Sequence, residues 1–190
     1  MLTVDLSTGC SAVDTIPETL LLNYLGGRGL GVRLMRDSFR LDPFDPDMPL
    51  IFAVGPLCGT PAPTAARLSV VSRSPLTGTI YDCSAGGQFA WRLKAAGYDL
   101  LKIVGASLRP VALVIGESGS GAHLIPADHL WGKTVSETVA ELEGGGSVAA
   151  IGPAGENGVL FATIMMGEGN RWAGEDWVRS WGANVSSPSW

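Results

Sequence analysis

Along the chain, apolar positions alternate, run together or recur at helical spacing, and each habit marks a different element. Leu2, Val4 and Leu6 alternate with Thr3 and Asp5, the pattern of a half-buried strand, and Ser7-Thr8-Gly9 supplies a hairpin turn. From Pro17 to Met35 the pattern turns helical, with Leu20, Leu21, Leu22, Tyr24 and Leu25 as its apolar face. The run Gly26-Gly27-Arg28-Gly29-Leu30-Gly31 is expected to break that helix and to begin another over residues 30–37. A proline-punctuated loop, residues 41–49, precedes the unbroken apolar strand 50–54, which Gly55-Pro56 closes.

Further on, a strand is predicted at 68–71, a turn at 74–78 and a helix at 89–96 that Gly97 stops. Strands at 100–104, 111–115 and 122–125 read as an antiparallel meander. Thr134 caps a helix at 135–142, with Glu137 completing a capping box. Strands at 147–151 and 159–166 finish the list. Strands outnumber helices and are mostly joined by hairpins, so the expected class is α+β with two antiparallel sheets and a few short helices.

Composition narrows the function. The 190 residues carry a formal net charge of -5, only 16% are charged and 26 are glycine. A nucleic-acid binder needs a basic stripe, and none exists here. Cys10, Cys58 and Cys83 are far apart, and with only His123 and His129 beside them they form no metal-ligand spacing. They are expected to be buried or free thiols, and His129 a helix-entry or surface residue. The segment MLTVDLSTG has neither a charged n-region nor a long apolar core, and no stretch reaches membrane-spanning length, so a cytoplasmic protein is expected.

Candidate chemistry concentrates between Gly55 and Gly87, where Pro-rich and Gly-rich loops surround Arg67 and the bare segment Cys83-Ser84-Ala85-Gly86-Gly87. Glycine backbone can approach a ligand closely and present consecutive N–H groups to an anion, and an arginine adds a planar fork suited to phosphate. If the helix at 89–96 forms, Gly86 and Gly87 stand at its N-terminus. GGRGLG at 26–31 is a weaker phosphate signal, because no strand precedes it, and a helix junction is its simpler reading. Asp42, Asp45 and Asp47 read as a solvated loop rather than a Ca²⁺ site. Nucleophile elbow, Walker A loop and HExxH motif are all missing, and no carboxylate pair has a spacing that suggests acid–base work.

The series LLNYLGGRGLG, DPFDPDMPLIFAVGPLCGTPAPTAAR, SPLTGTI, GGQFAWRLKAAGYD, HLWGKTVSET and AIGPAGENGVLFATIM, in this order, resembles the N-terminal domain of the tungsten-dependent aldehyde ferredoxin oxidoreductase family over residues 2–174. The resemblance implies a base of two antiparallel sheets carrying a tungsten or molybdenum bis-pterin, which helical second and third domains close over. It implies that Arg67, Gly86, Arg171 and Gly174 contact pterin, with Gly87 beside them. It further implies that backbone carbonyls of Ser84 and Trp172 hold a Mg²⁺ between the pterin phosphates. Ser84 stands where the family commonly has Asn, and Trp172 where it has a small residue. A full-length relative would oxidise aldehydes to carboxylic acids and pass electrons through a [4Fe–4S] cluster to ferredoxin. The cluster ligands have no counterpart in this chain. The missing domains or a separately encoded subunit would be needed, and the chain alone is expected to be inactive.

After Gly174 the composition changes abruptly. Residues 175–190 hold Trp177, Trp181 and Trp190, and they read as an out-of-frame tail or a divergent amphipathic segment. Two other readings of the whole chain stay open: a stand-alone pterin- or phosphate-binding module, and an inactive remnant.

Overall fold

The structure is a computed structural model that describes residues 1–116, 121–142, 146–167 and the main chain of 171–172. Among these residues a six-stranded sheet forms the centre, built from β1 (Leu2–Asp5), β2 (Ser11–Val13), β3 (Leu50–Val54), β4 (Leu68–Arg73), β5 (Ile80–Ala85) and β6 (Leu100–Val104) in the order β2-β1-β6-β3-β4-β5. A hairpin of β7 (Val111–Ile115) and β8 (Ala122–Pro126) forms a second sheet. A third has the order β11-β10-β9, from β9 (Val148–Ala150), β10 (Met165–Gly167) and β11 (Arg171–Trp172). The helices are α1 (Glu18–Tyr24), α2 (Gly27–Met35), α3 (Gln88–Ala95), α4 (Val135–Leu142) and α5 (Pro153–Glu156).

The chain is thus α+β with predominantly antiparallel pairing, as expected. One pair, β1 with β6, is parallel. A knot of hydrogen bonds at its end joins the two strands: the Leu6 N–H donates to the Val104 carbonyl at 2.8 Å, and the Ala106 N–H to Ser7 Oγ at 2.8 Å.

The continuous apolar run of β3 follows from its position, since a central strand must be buried on both faces. Leu50, Phe52 and Val54 face one core with Leu2, Val4, Leu68, Val70, Leu101 and Ile103, covered by α3, the β7–β8 hairpin and the third sheet. Ile51 and Ala53 face the other core with Val71 and Leu100, covered by Leu30 and Met35 of α2. Gly31 lets α2 lie close on the sheet, because a Cβ there would stand 2.6 Å from Val71 Cγ2. Leu20 and Leu21 of α1 pack against this second core, whereas Leu22 and Leu25 are exposed.

Several expectations need correction. The second helix begins at Gly27 rather than at Leu30, so the glycines belong to its first turns. A strand, β5, occupies the segment read as bare backbone around Cys83. The meander does not form, because β6 enters the central sheet between β1 and β3 while β7 and β8 pair only with each other. The strand expected over 159–166 is confined to Met165–Gly167. The capping box of α4 is present: Glu137 accepts from the Thr134 N–H at 2.8 Å, and Thr134 Oγ1 accepts from the Glu137 N–H at 3.4 Å. Gly174 and the tail 175–190 lie outside the described residues.

Candidate functional site

The start of β4 and the end of β5 lie side by side, with Leu68 opposite Ala85 and Ser69 opposite Ser84. Arg67 immediately precedes this pair and Gly86 immediately follows it, so both leave the sheet at one corner. Arg67 is exposed and forms no ion pair among the described residues. Gly87 is the N-terminal cap of α3, with φ at +113°, a region that favours glycine. A Cβ at that position would meet nothing within 4 Å. No side chain caps α3, which leaves its first amide donors open at the corner.

The start of α2 forms the third side. A Cβ on Gly26 would stand 2.7 Å from the Val54 carbonyl oxygen, and one on Gly27 would stand 3.5 Å from Ser69 Oγ. Arg28 follows, its Nε 2.5 Å from Asp82 Oδ2. That carboxylate oxygen is buried and has no aligned hydrogen bond, so the contact is an ion pair of charge rather than of hydrogen-bond geometry. Asp82 and Ser84 share a face of β5, two residues apart.

Backbone strain collects around the same place. Among the described residues, the non-glycines with positive φ are Leu25 at 59° and Thr64 at 57°. Leu25 directly precedes Gly26, in a tight turn closed by the Gly26 N–H donating to the Tyr24 carbonyl at 2.6 Å. Thr64 lies three residues before Arg67. Such conformations persist where the surroundings enforce them, and they gather at functional sites.

Of the residues singled out from sequence, Arg67, Ser84, Gly86 and Gly87 are brought together. Arg171 and Trp172 form β11, opposite Met166 and Met165, and their side chains, with all of Gly174, lie outside the described residues. Sequence reasoning missed Ser69 and Asp82, which carry no local signal. It read Arg28 and its glycines as a junction although the motif was in view.

Elsewhere the polar groups are occupied structurally. Glu156 accepts from the Gly132 N–H with both carboxylate oxygens, at 3.0 and 2.9 Å. A hydrogen bond from Lys133 holds the exposed Glu141 below the usual carboxylate range, although desolvation works against it. His129 Nε2 lies 3.8 Å from the same carboxylate and is exposed, as expected. Among the described residues no group of three or more His, Cys, Asp or Glu is placed to hold a metal ion. No described helix is long and apolar enough to cross a membrane. An apolar cleft of about 810 Å³ opens between the β3–β6 face, α3 and the β7–β8 hairpin, lined by Phe52, Phe89, Leu101, Val111, Leu113 and Ala150. It is separate from the corner.

The cysteines differ in access: Cys10 is exposed, Cys58 buried and Cys83 half-buried. Burial pushes the Cys58 thiol above its ordinary value, against the pull of the Lys94 charge. A thiol reagent at pH 8 is expected to modify Cys10 at once and Cys58 only on unfolding. The raised folded value means that the stabilising term from Cys58 is complete below the ordinary thiol pKa of about 8.5 and is lost as pH rises beyond it. Chemical denaturation from pH 7 to 10, with and without Cys58→Ala, checks this: the variant should lose less stability over that span.

What the fold and corner define is an α+β platform, a sheet end lined by glycine backbone and arginine side chains. The profile of the aldehyde ferredoxin oxidoreductase N-terminal domain matches residues 1–177. The chain therefore belongs to the aldehyde ferredoxin oxidoreductase family, as its N-terminal domain. It is 44% identical over 182 residues to the tungsten-containing aldehyde ferredoxin oxidoreductase of Pyrococcus furiosus, a match covering 92% of this chain and 30% of that protein. The enzyme of the same name from Thermococcus kodakarensis is 44% identical over 180 residues, covering 91% of this chain and 29% of the relative. Among solved structures, the active site complex BamBC of benzoyl coenzyme A reductase, in complex with 1,5 dienoyl-CoA, superposes with a TM-score of 0.89 at 36% identity, over 96% of this chain and 29% of that one. The chain thus spans about 30% of the length of the curated relatives.

Proposed function

We propose that this chain is the cofactor-binding N-terminal portion of an aldehyde:ferredoxin oxidoreductase, and that the corner at Arg67 holds the phosphate-bearing end of a tungsten or molybdenum bis-pterin. The observation that carries the reading is the convergence of an exposed arginine without an ion-pair partner among the described residues, Arg67, with the open amide end of α3 at Gly87. Both features suit a polyanion: the guanidinium offers a planar pair of donors, and helix amides offer oriented partial positive charge. A Cβ at Gly87 would project into open space, so glycine leaves the backbone there accessible. The corner therefore fits such a group.

In this role Arg67 would bind and orient phosphate, Gly86 and Gly87 would let it approach the backbone, and the backbone carbonyls of Ser84 and Trp172 would hold Mg²⁺. Arg171 and Gly174 would add further contacts. When bound, the metal–pterin group supplies the two-electron change that converts an aldehyde and water to a carboxylic acid with release of two protons. Electrons would pass to ferredoxin through a [4Fe–4S] cluster whose ligands, like the substrate channel, belong to the further length of the relatives or to a separately encoded subunit. The chain alone would then bind without turning over. A second reading, a stand-alone module for a pterin or another phosphorylated ligand, is favoured by the fact that Arg67, Gly86 and Gly87 meet at one end of the β4–β5 pair.

Metal and pterin analysis of protein purified from a tungstate-supplemented host tests the proposal. Near-stoichiometric tungsten or molybdenum with two pterins is expected, and Arg67→Ala should retain about tenfold less, the weight of one charge-assisted contact. Folded wild-type protein carrying phosphorylated pterin without metal would move the conclusion to the second reading. Folded protein carrying neither would overturn both.

A further inference from the structure

We propose that the start of α2 is a second phosphate-holding element of the same corner, with Arg28 as its binding side chain. The inference rests on the reading of the corner given above and adds to it a segment distant in sequence.

The Gly-Gly-Arg-Gly run looked like a helix junction because nothing local tied it to residues 55–87. The fold ties it there. Gly27 stands over Ser69, Ser69 is the register partner of Ser84, and Arg28 lies against Asp82, two residues before Ser84 on the same face of β5. Arg67 thus precedes the Leu68–Ala85 end of the β4–β5 pair, and Arg28 meets the same pair at Asp82, opposite Val71. The Arg28 side chain is 65% exposed. Its Nε is the atom engaged by Asp82, and no other ion pair or hydrogen bond of the guanidinium occurs among the described residues. A guanidinium has five N–H donors, so a carboxylate on the Nε edge steers the side chain while leaving the Nη donors for a ligand. No side chain caps α2 at Gly26, which leaves its first amides open as well. Two arginine forks and two uncapped helix starts match a ligand with two phosphate groups, a diphosphate or a pair of phosphate monoesters.

Isothermal titration of the full chain with inorganic pyrophosphate provides the test. Arg28→Gln is expected to weaken binding about tenfold, as loss of one charge-assisted contact would. Arg28→Lys should retain part of the affinity and Arg28→Glu should bind more weakly than Arg28→Gln. Melting curves will show whether each variant is folded, which the exposure of the side chain favours. Because Arg28→Gln also uncovers the Asp82 charge, the double variant R28Q/D82N is essential, and its binding should stay weak. Wild-type affinity in the double variant would overturn the inference by assigning the loss to Asp82. Normal binding by Arg28→Gln together with a loss in Arg67→Ala would overturn it while leaving the corner intact. No binding by the wild type would overturn both.

Discussion

Replacing Phe52 by alanine is expected to destabilise the domain by about 3–5 kcal/mol, the range for deleting a large buried aromatic side chain. Phe52 is 1% exposed, in the middle of β3, paired with Val70 on one side and Leu101 on the other. Its ring tilts against Phe89 of α3 with centroids 5.9 Å apart. It also lines the apolar cleft, so the variant enlarges a space that is already open and the lost contacts have nothing to replace them. Because typical domain stabilities are about 5–15 kcal/mol, a loss of this size removes a large share of the total. Urea titration should show a much lower midpoint with an unchanged slope. Phe52→Leu, which keeps most of the volume, should cost well under half as much; equal loss in the two variants would rule out the packing explanation.

Gly105→Ala is the second large effect, expected at about 2–5 kcal/mol. Gly105 follows β6 with φ at +81°, a conformation that costs an L-residue about 1–2 kcal/mol. A Cβ there would lie 2.2 Å from Asp5 Oδ1 and 2.7 Å from both the nitrogen and Oγ of Ser7, adding an overpacking cost of about 1–3 kcal/mol. These atoms make up the knot that joins β1 to β6. Burial alone would raise the Asp5 pKa, but hydrogen bonds from Ser7 and Thr8 outweigh it and hold the carboxyl below its ordinary range. A bulkier residue at 105 pushes on that carboxylate and on the backbone N–H it accepts. Thermal melting of Gly105→Ala beside Gly9→Ala separates the causes. Gly9 also has positive φ, at 72°, but no atom within 4 Å of a built Cβ, so its variant carries the conformational cost alone. Equal loss in both would mean that the knot does not resist the added methyl.

How far the site was legible depended on distance along the chain. Arg67, Ser84, Gly86 and Gly87 lie within twenty-one residues, and the strands between them fold back on each other, so a local reading placed them at one site. Arg28 and Asp82 needed the packing of α2 on β3 and β4, which no periodicity encodes. The same holds for the strands. β3 and β6 were found at their observed bounds because unbroken apolar runs between turn residues admit few alternatives. β5 was missed because Ile80–Ala85 contains Asp82 and Ser84, polar residues that break an apolar run and are accommodated because β5 is an edge strand.

The amino-acid sequence by itself determined the α+β class, most element positions, the capping box of α4, the family, and the cluster of glycines around one arginine. These depend on short-range rules of alternation, capping and turn chemistry, or on motifs read in order. The tertiary structure alone decided that β6 pairs in parallel with β1, that β7 and β8 pair only with each other, and that the GGRG helix start meets Ser69 and Asp82. Each joins segments tens of residues apart, and such pairings are chosen by which apolar faces must be buried together, a constraint on the whole chain that no single stretch carries.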